Sequence, residues 1–521
     1  MICPPSGHPR RVRTSLSRAL AGVLLLGLLI GSGAARAQEP IDTAANRRIR
    51  DEAFNRSRVL ETAIGLSDLS PPRLAGSPGY MVAARWALDR LHDSGIPRAT
   101  LEPWGRRTAG WVLDRYTLEM TAPWYLHLTA FPRAWSPATA APVTGPVVVV
   151  QIAGDSDLAR YTGKLRGRVV LNGALVPLAG RAPAPLARFT DQELDSMARL
   201  TDVGAPASAA EDIAPWRALL AGRRRFSAFL RREGALALVE PSEVETALKA
   251  DGWFEYPGVP WIGVPSFLVT RDHFNRMLRL AAAGRQVRVT ASLRSHRVPG
   301  DSVGYDVVAE IPGTDLADQV VLLGGHLDSW IAGTGAADNA AGCAVGMEVL
   351  RILMAQGLRP RRTIRLALWD AEEPSEDYAG SIGYVRRHFA DPATGRRLSA
   401  YDRFSAYLNL DNGSGRIRGV YLQGNRAARP LFEALLAPFA DLGANHVTLA
   451  ATGETDHISF VAVGLPGFEF IQDPLDYDTR VHHSHLDVAD YLVEADLQQA
   501  AAVMASVAWH LAMRDSLVPR P

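Results

Sequence analysis

The 521-residue sequence predicts an α/β protein whose mostly parallel mixed sheet is flanked by helices. Short apolar runs alternate with helical patterns from residue 319 onward, and these runs are apolar at nearly every position. Strands that are buried on both faces have this composition, because a helix layer covers each face. The length and the hydrophobic content of 47% allow roughly two to four domains.

The first 37 residues have the pattern of a secretory signal peptide. Four arginines precede an apolar run at residues 20–30, and Ala35, Arg36 and Ala37 form a small-residue cleavage site. The run is shorter than the roughly 20 residues that a membrane-spanning helix needs, although a membrane anchor stays the alternative. We expect a secreted or periplasmic protein without stable membrane insertion.

Charge and cysteine content argue against a nucleic-acid-binding protein and against an enzyme with a cysteine nucleophile. Lysine and arginine total 56 and the acids total 55, so the net charge of +1 gives no attraction for nucleic acid. One of the two cysteines, Cys3, lies in the predicted signal. Cys343 then has no intramolecular partner, and its small neighbours indicate a buried packing residue rather than a nucleophile.

The region after the signal begins with helices and continues with strands. Apolar periodicity predicts helical segments at residues 49–66 and 80–91, followed by strands at 100–104 and 111–120. We assign residues 38–122 to the first part of a larger domain.

The residue composition changes after residue 122. Residues 147–150 and 167–171 have the composition of short strands, whereas residues 174–215 are rich in alanine and proline and resemble a loop. The regular alternation that follows predicts strands at residues 319–323, 363–368, 405–410 and 467–471, and helices at 340–355, 430–439 and 492–513.

Histidines and carboxylates stand where these predicted strands end. The residues are His326 and Asp328 after the first strand, Asp338 at the start of a helix, Glu372 and Glu373 after the second strand, Asp411 after the third, and His483 after the last. Because the carboxyl ends of parallel strands meet at one edge of a sheet, we expect these side chains to converge there.

Two zinc ions would account for these residue types. Such a pair needs one bridging carboxylate and about two further ligands for each ion, supplied by imidazole nitrogen and carboxylate oxygen. Five residues meet that count: His326, Asp338, Glu373, Asp411 and His483. Glu372 is then left to accept a proton from water, and Asp328 suits the orientation of the His326 ring through its other N–H.

Each residue also has an interpretation without a metal. Asp338 alone would serve as a helix N-cap, Glu372 and Glu373 alone as a solvated pair, and His326 alone as a hydrogen-bonded core residue. Their order on successive strand ends favours the metal site over these separate explanations.

The motifs resemble the dizinc aminopeptidase and glutamate carboxypeptidase family of metallopeptidases. The strings that carry the resemblance are Gly-Gly-His-Leu-Asp-Ser-Trp from residue 324, Asp-Asn-Ala-Ala-Gly from 338, Trp-Asp-Ala-Glu-Glu from 369, Leu-Asn-Leu-Asp from 408 and His-His-Ser-His from 482. The resemblance covers nearly the whole mature chain. It implies a catalytic domain at residues 38–122 and 291–521, interrupted at 123–290 by a β-rich protease-associated domain.

The resemblance also implies a role for each ligand. Asp338 would bridge the ions, His326 and Asp411 would complete one zinc site, and Glu373 and His483 would complete the other. Glu372 would be the general base. Two departures from the family pattern are a turn at residues 374–377 without the usual glycine, and the presence of His482 and His485 beside His483. The string Thr455-Asp456-His457 is expected in the cleft wall.

We therefore expect an exported dizinc exopeptidase that hydrolyses terminal bonds of small peptides. A catalytically inactive binding homologue and a single-zinc acyl transferase of the glutaminyl-cyclase type stay as alternatives. Aminopeptidase, dipeptidase and carboxypeptidase activities share this metal centre and are not distinguished by it. The resemblance suggests a homodimer.

Overall fold

The computed structural model describes residues 39–521 except 107–108, 177–184, 201–208, 246, 253–262, 299–302 and 374–377. The predicted signal peptide and the predicted turn at residues 374–377 therefore lie outside the described residues. Residues 40–521 form one unit.

The helices are α1 (Thr43–Asn55), α2 (Val59–Ser67), α3 (Pro78–Asp93), α4 (Asp155–Leu158), α5 (Asp191–Ala198), α6 (Ala209–Glu233), α7 (Arg271–Ala282), α8 (Ala341–Ala355), α9 (Ala379–His388), α10 (Arg429–Leu436), α11 (His457–Val461) and α12 (Glu494–Met513).

The strands are β1 (Arg98–Arg106), β2 (Gly110–Ala122), β3 (Leu126–His127), β4 (Ala130–Pro132), β5 (Val143–Val150), β6 (Val169–Asn172), β7 (Ala237–Pro241), β8 (Ser266–Val269), β9 (Arg288–Val298), β10 (Val303–Ile311), β11 (Leu316–His326), β12 (Arg362–Trp369), β13 (Phe404–Asn409), β14 (Ile417–Tyr421), β15 (His446–Thr448) and β16 (Gly467–Gln472).

The first sheet is the mixed sheet that the sequence predicts, in the order β1-β10-β12-β11-β13-β16-β14-β15. Its central strands β12, β11, β13 and β16 are parallel, and antiparallel pairs flank them. Along β11, Val321 and Leu323 pack into the core on one face, and Val320 and Leu322 pack into the core on the other. The predicted α/β class is confirmed.

The first sheet has helices on both faces. The larger core lies under α1, α2, α3, α8, α10 and α12, and the smaller core lies under α9 and α11. Strand β11 is longer than predicted, because its pairing with β12 continues to His326 opposite Trp369. This extension carries the first candidate ligand to the end of the strand.

The second sheet has the order β3-β2-β9-β5-β6-β7-β8-β4. It extends beyond the predicted insertion at residues 123–290, because β2 pairs with β9 from Gly110 opposite Val298 to Ala122 opposite Arg288. Strands β5, β6, β7 and β8 are parallel to one another, and α7 packs against β5 and β7.

The prediction of a loop at residues 174–215 is wrong in part. Helix α5 lies within it, and α6 begins at Ala209. Thr190 accepts a hydrogen bond from the Glu193 backbone, and the Glu193 carboxylate accepts one from the Thr190 backbone. This capping box is a helix-start signal that the alanine and proline content of the region obscured.

Candidate metal centre

Neighbouring strand ends bring the predicted residues to one edge of the first sheet. His326 is the last residue of β11, and Asp411 follows β13 by two residues. After β12, Ala371 has a φ of 60°, which turns the chain sharply before Glu372 and Glu373. Strand β11 pairs in parallel with β12 on one side and with β13 on the other, so the carboxyl ends of the three strands lie side by side.

The two carboxylate oxygens of Asp338 face two different sets of ligands. Its Oδ1 lies 3.2 Å from His326 Nε2, which is in turn 3.3 Å from Asp411 Oδ1. Its Oδ2 lies 3.3 Å from His483 Nε2, which is 3.0 Å from Glu373 Oε2. Ligand atoms about 2.0–2.1 Å from a tetrahedral zinc ion are separated by about 3.3 Å. The five predicted ligands therefore form two groups that share Asp338.

Two buried oxygen atoms in this cluster have no hydrogen-bond partner among the described residues. They are Asp338 Oδ2 and Glu373 Oε1. Buried oxygens without a partner are rare, because desolvation costs about 1–3 kcal/mol for each unsatisfied group. Their position between imidazole nitrogens fits metal ligands, and the residues present thus suit a divalent cation.

The electrostatics of the cluster also fit a cation. Burial raises the pKa of Glu372 well above its ordinary value, and Asp411 and Glu373 raise it further. The pKa of Glu373 is raised in the same way by burial and by Asp338. Burial opposes protonation of His326, but the carboxylates of Asp411 and Glu372 nevertheless raise its pKa well above the usual value. Positive charge is therefore stabilised at this position.

Asp328 differs from its predicted role in one respect. The backbone carbonyl of Asp328 lies 3.0 Å from His326 Nδ1, whereas its carboxylate lies 3.8 Å away. The carboxylate instead accepts hydrogen bonds from the backbone N–H groups of Glu372, at 3.1 Å, and Glu373, at 3.2 Å. Asp328 thus orients the imidazole through its backbone and fixes the paired glutamates through its side chain.

Residues of α8 and the turn before it hold the ligands in place. Asn339 Nδ2 donates to Asp411 Oδ1 at 2.6 Å and to the Leu410 carbonyl at 3.0 Å. Cys343 is buried and donates its thiol to the His326 carbonyl at 3.0 Å. Burial raises the pKa of this thiol to about 12. Cys343 is therefore a protonated packing residue that contacts the backbone of a ligand.

Arg73 is a contributor to the site that sequence reasoning missed. Its side chain is fully buried and donates to the carbonyls of Leu327, Thr334 and Gly335 at 2.6–2.8 Å. A fourth bond reaches the Leu66 carbonyl at 2.9 Å. Arg73 therefore fixes the loop between His326 and Asp338, and no local motif marks it because its three partners in that loop are more than 250 residues away along the chain.

The three histidines near residue 483 have different partners. His483 contacts both Asp338 and Glu373, whereas His482 Nε2 lies 3.8 Å from Asp338 Oδ2 and its ring stacks on Tyr477. His485 Nδ1 accepts a hydrogen bond from the Leu248 backbone at 3.0 Å. The geometry thus favours His483 as the ligand, and gives His485 a structural role.

The string Thr455-Asp456-His457 is only partly in the cleft wall. Thr455 lines the cleft, but His457 is buried behind it and hydrogen-bonds the Thr452 carbonyl at 2.9 Å. Its Nδ1 lies 3.7 Å from Glu469 Oε2, and the other carboxylate oxygen of Glu469 accepts from the Asp411 backbone at 2.8 Å. His457 therefore belongs to the polar layer that supports Asp411.

The chain from β2 to β9, residues 110–298, contains the second sheet, and we call it the second-sheet region. Two of its segments contact the loop that carries His483. One is residues 248–250, where the Ala250 backbone donates to the His483 carbonyl at 2.9 Å and the His485 backbone donates to the Leu248 carbonyl at 3.1 Å. The other is residues 186–199, which we call the strap. Within it, Ala187 exchanges two backbone hydrogen bonds with Leu475, at 2.7 and 3.1 Å.

A cleft of about 500 Å³ opens over the candidate ligands. Its walls include Tyr378, Thr455 and Tyr477 from the first-sheet side, and Arg223, Lys249 and Asp251 from the second-sheet region. Trp330 packs edge-on against His483, with ring centroids 5.9 Å apart. The cleft has the volume of a small-molecule site.

The fold and the two groups of His and carboxylate ligands define the class of the protein, which is a metallopeptidase. Residues 306–508 match the family model of peptidase family M28. The predicted resemblance, the predicted fold of the catalytic part and the predicted hydrolase class are confirmed.

Similar proteins are found over nearly the whole length. Carboxypeptidase Q of Mus musculus is 26% identical over 96% of this chain and all of that protein. The crystal structure of a peptidase M28 precursor from Shewanella amazonensis matches with a TM-score of 0.69 and 24% identity, covering 92% of this chain and 98% of the other. A zinc aminopeptidase from Bacillus subtilis matches with a TM-score of 0.56 and 16% identity, covering 88% and 95%.

None of the helices in the described part of the chain has the length and apolar composition needed to cross a membrane.

Proposed function

We propose that this protein is an exported exopeptidase that binds two zinc ions and removes terminal residues from small peptides. The observation that carries the proposal is the arrangement around Asp338, whose oxygens face His326 and Asp411 on one side and His483 and Glu373 on the other. Imidazole nitrogen and carboxylate oxygen are ligands that zinc accepts readily. The name of the Bacillus subtilis relative, a zinc aminopeptidase, supports the same metal.

Zinc bound there would supply Lewis-acid chemistry, polarising the scissile carbonyl and lowering the pKa of the attacking water. Glu372 accepts the proton of that water and returns it to the leaving amine. Its backbone is fixed by Asp328, and its raised pKa suits a group that takes up and releases a proton. Asn339 and the Glu469 carboxylate keep Asp411 oriented toward His326.

The two ligand groups favour this proposal over the alternatives. A single-zinc acyl transferase needs only one group, and an inactive binding homologue needs neither a full ligand set nor a base. The exopeptidase assignment is supported by the limited volume of the cleft and by the similarity to carboxypeptidase Q. Export is supported by the signal-like pattern of residues 1–37.

A peptide panel tests the exopeptidase assignment. The purified, zinc-loaded enzyme is incubated with a dipeptide, a tetrapeptide, and the same peptides blocked at the N-terminus, the C-terminus or both, and the products are separated by mass. We expect cleavage at terminal bonds and none of the doubly blocked peptides. Internal cleavage of a doubly blocked tetrapeptide would identify an endopeptidase instead.

A further inference from the structure

Aromatic side chains are exposed at one end of the ladder that β2 and β9 form in the second sheet. Strand β2 ends where β9 begins, because Ala122 pairs with Arg288. The chain that follows β2 and the chain that precedes β9 therefore extend beyond the same end of this ladder. The first of these segments carries Trp124 and Tyr125, which are 47% and 64% exposed. Two neighbouring aromatic rings thus meet the solvent there.

Exposed arginines lie close to these two rings. The Arg276 guanidinium lies 5.8 Å from the centroid of the Trp124 ring. Arg279 is three residues further along α7 and lies on the same exposed face of the helix. Arg285 lies in the exposed segment between α7 and β9, and Arg288 is the exposed first residue of β9. We call the following set the tip surface: Trp124, Tyr125, Arg276, Arg279, Arg285 and Arg288.

The fold does not use the guanidinium groups of the tip surface for ion pairs. None of its arginines forms an ion pair or a side-chain hydrogen bond with a residue in the described part of the chain. Two acids lie nearby, but Glu119 accepts a hydrogen bond from Tyr125, and Asp272 lies 3.7 Å from His273. Elsewhere, by contrast, Arg188 pairs with two buried acids. The tip surface therefore keeps an excess of positive charge.

The tip surface lies outside the cleft over the candidate ligands. None of its residues is among those that line that cleft. Its charge is local, because the chain as a whole has a net charge of only +1. A local excess of arginine still attracts an anionic surface that comes within about 8–10 Å, the distance over which salt screens exposed charges. An anionic partner can therefore contact the tip surface without occupying the cleft.

We propose that the tip surface binds the surface of an anionic phospholipid membrane. Tryptophan and tyrosine rings favour the headgroup layer of a bilayer, because each has an apolar body and a polar edge. Arginine binds phosphate through its planar fork of N–H donors, and each cation adds to the attraction toward anionic lipid. A soluble polyanion would need only the charge, whereas a membrane uses both the charge and the exposed rings. Such a contact needs no helix that crosses the bilayer.

Vesicle sedimentation tests the proposal with the exported chain, which lacks the predicted signal peptide and its apolar run. Vesicles of phosphatidylcholine alone are compared with vesicles of phosphatidylcholine and phosphatidylglycerol in equal parts. We expect the wild type to bind the anionic vesicles more tightly, and added salt to weaken this binding. Combining Arg285→Gln with Arg288→Gln should weaken binding to the anionic vesicles by about 10- to 30-fold, because each arginine contributes separately. Trp124→Ser should also weaken it.

The matched control combines Arg85→Gln with Arg387→Gln, which removes the same charge from exposed positions on α3 and α9. This control should bind the anionic vesicles as the wild type does. Equal weakening in the two double variants would show a general effect of charge and overturn the proposal. Equal binding of the wild type to both kinds of vesicle would also overturn it. Tight binding to dextran sulfate, with no binding to vesicles, would identify a soluble polyanion as the partner instead.

Discussion

Glu372 and Glu373 are adjacent in the chain but have different surroundings. Glu373 Oε2 lies 3.0 Å from His483, and its other oxygen is buried and has no hydrogen-bond partner in the described part of the chain, as expected of a metal ligand. Glu372 lines the cleft and has its backbone fixed by Asp328. These surroundings support the proposed roles of Glu373 as a ligand and Glu372 as the base.

Substitution of each glutamate by glutamine tests this separation. Glu372→Gln keeps the shape of the side chain but removes the proton acceptor, so turnover should fall by about 10² to 10⁴ while zinc content is kept. Glu373→Gln removes a charged ligand, so both zinc affinity and turnover should fall. Zinc content and rate are measured on the same samples. Loss of zinc from Glu372→Gln with retention in Glu373→Gln would reverse the two roles.

Cys343 provides a second prediction at this scale. Its thiol pKa of about 12 and its complete burial keep it protonated and inaccessible at neutral pH. We expect no alkylation by iodoacetamide in the native protein and full alkylation after unfolding. Cys343→Ser keeps a donor to the His326 carbonyl, so activity should stay within about twofold of the wild type. Rapid alkylation with loss of activity would contradict the packing role.

The candidate ligands could be predicted from sequence because their signal is local. His326 ends an apolar strand, Asp411 and the paired glutamates follow two others, and their meeting at one edge needs only the parallel-sheet rule. Arg73 and the strap could not be predicted, because their contacts join residues that are far apart along the chain. The two-residue spacing from His326 to Asp328 predicts that Asp328 contacts the imidazole, but it does not show that the backbone carbonyl, rather than the side chain, makes the closer contact.

At the scale of elements, the strap connects the second-sheet region to the metal-ligand loop. Arg188 donates to Asp473 at 2.8 Å and to Asp496 at 2.7 Å, and both carboxylates are buried. Ala187 pairs with Leu475, and the Leu186 backbone donates to Asp476 at 3.1 Å. Leu475 and Asp476 lie a few residues before His483 in the chain, so the strap holds the segment that precedes this candidate ligand.

Arg188→Met should loosen this anchor. Asp496 and Asp473 keep other arginines nearby, so we expect a loss of about 1–3 kcal/mol in the free energy of unfolding rather than a failure to fold. Zinc should also pass more rapidly to a competing chelator. Arg199→Met is the matched control, because Arg199 lies on the same strap and is mostly exposed. Equal zinc release from the two variants would show that the strap does not support the ligand loop.

The whole molecule places two sheets around one cleft. The carboxyl edge of the first sheet supplies the candidate ligands and the candidate base, and the second-sheet region supplies the backbone partners of the His483 loop. The second-sheet region therefore supports the loop that carries one candidate ligand, whereas the other candidates belong to the first sheet.

On the proposed function, Asp338 would bridge two zinc ions, and both ions would be required for hydrolysis. Metal-free protein is titrated with zinc while bound zinc and the initial rate of dipeptide hydrolysis are measured at each addition. The account predicts two tightly bound ions per chain and a rate that reaches its maximum only near the second equivalent, because the two ligand groups share one carboxylate. Full activity at one equivalent, with no second tight site, would contradict it.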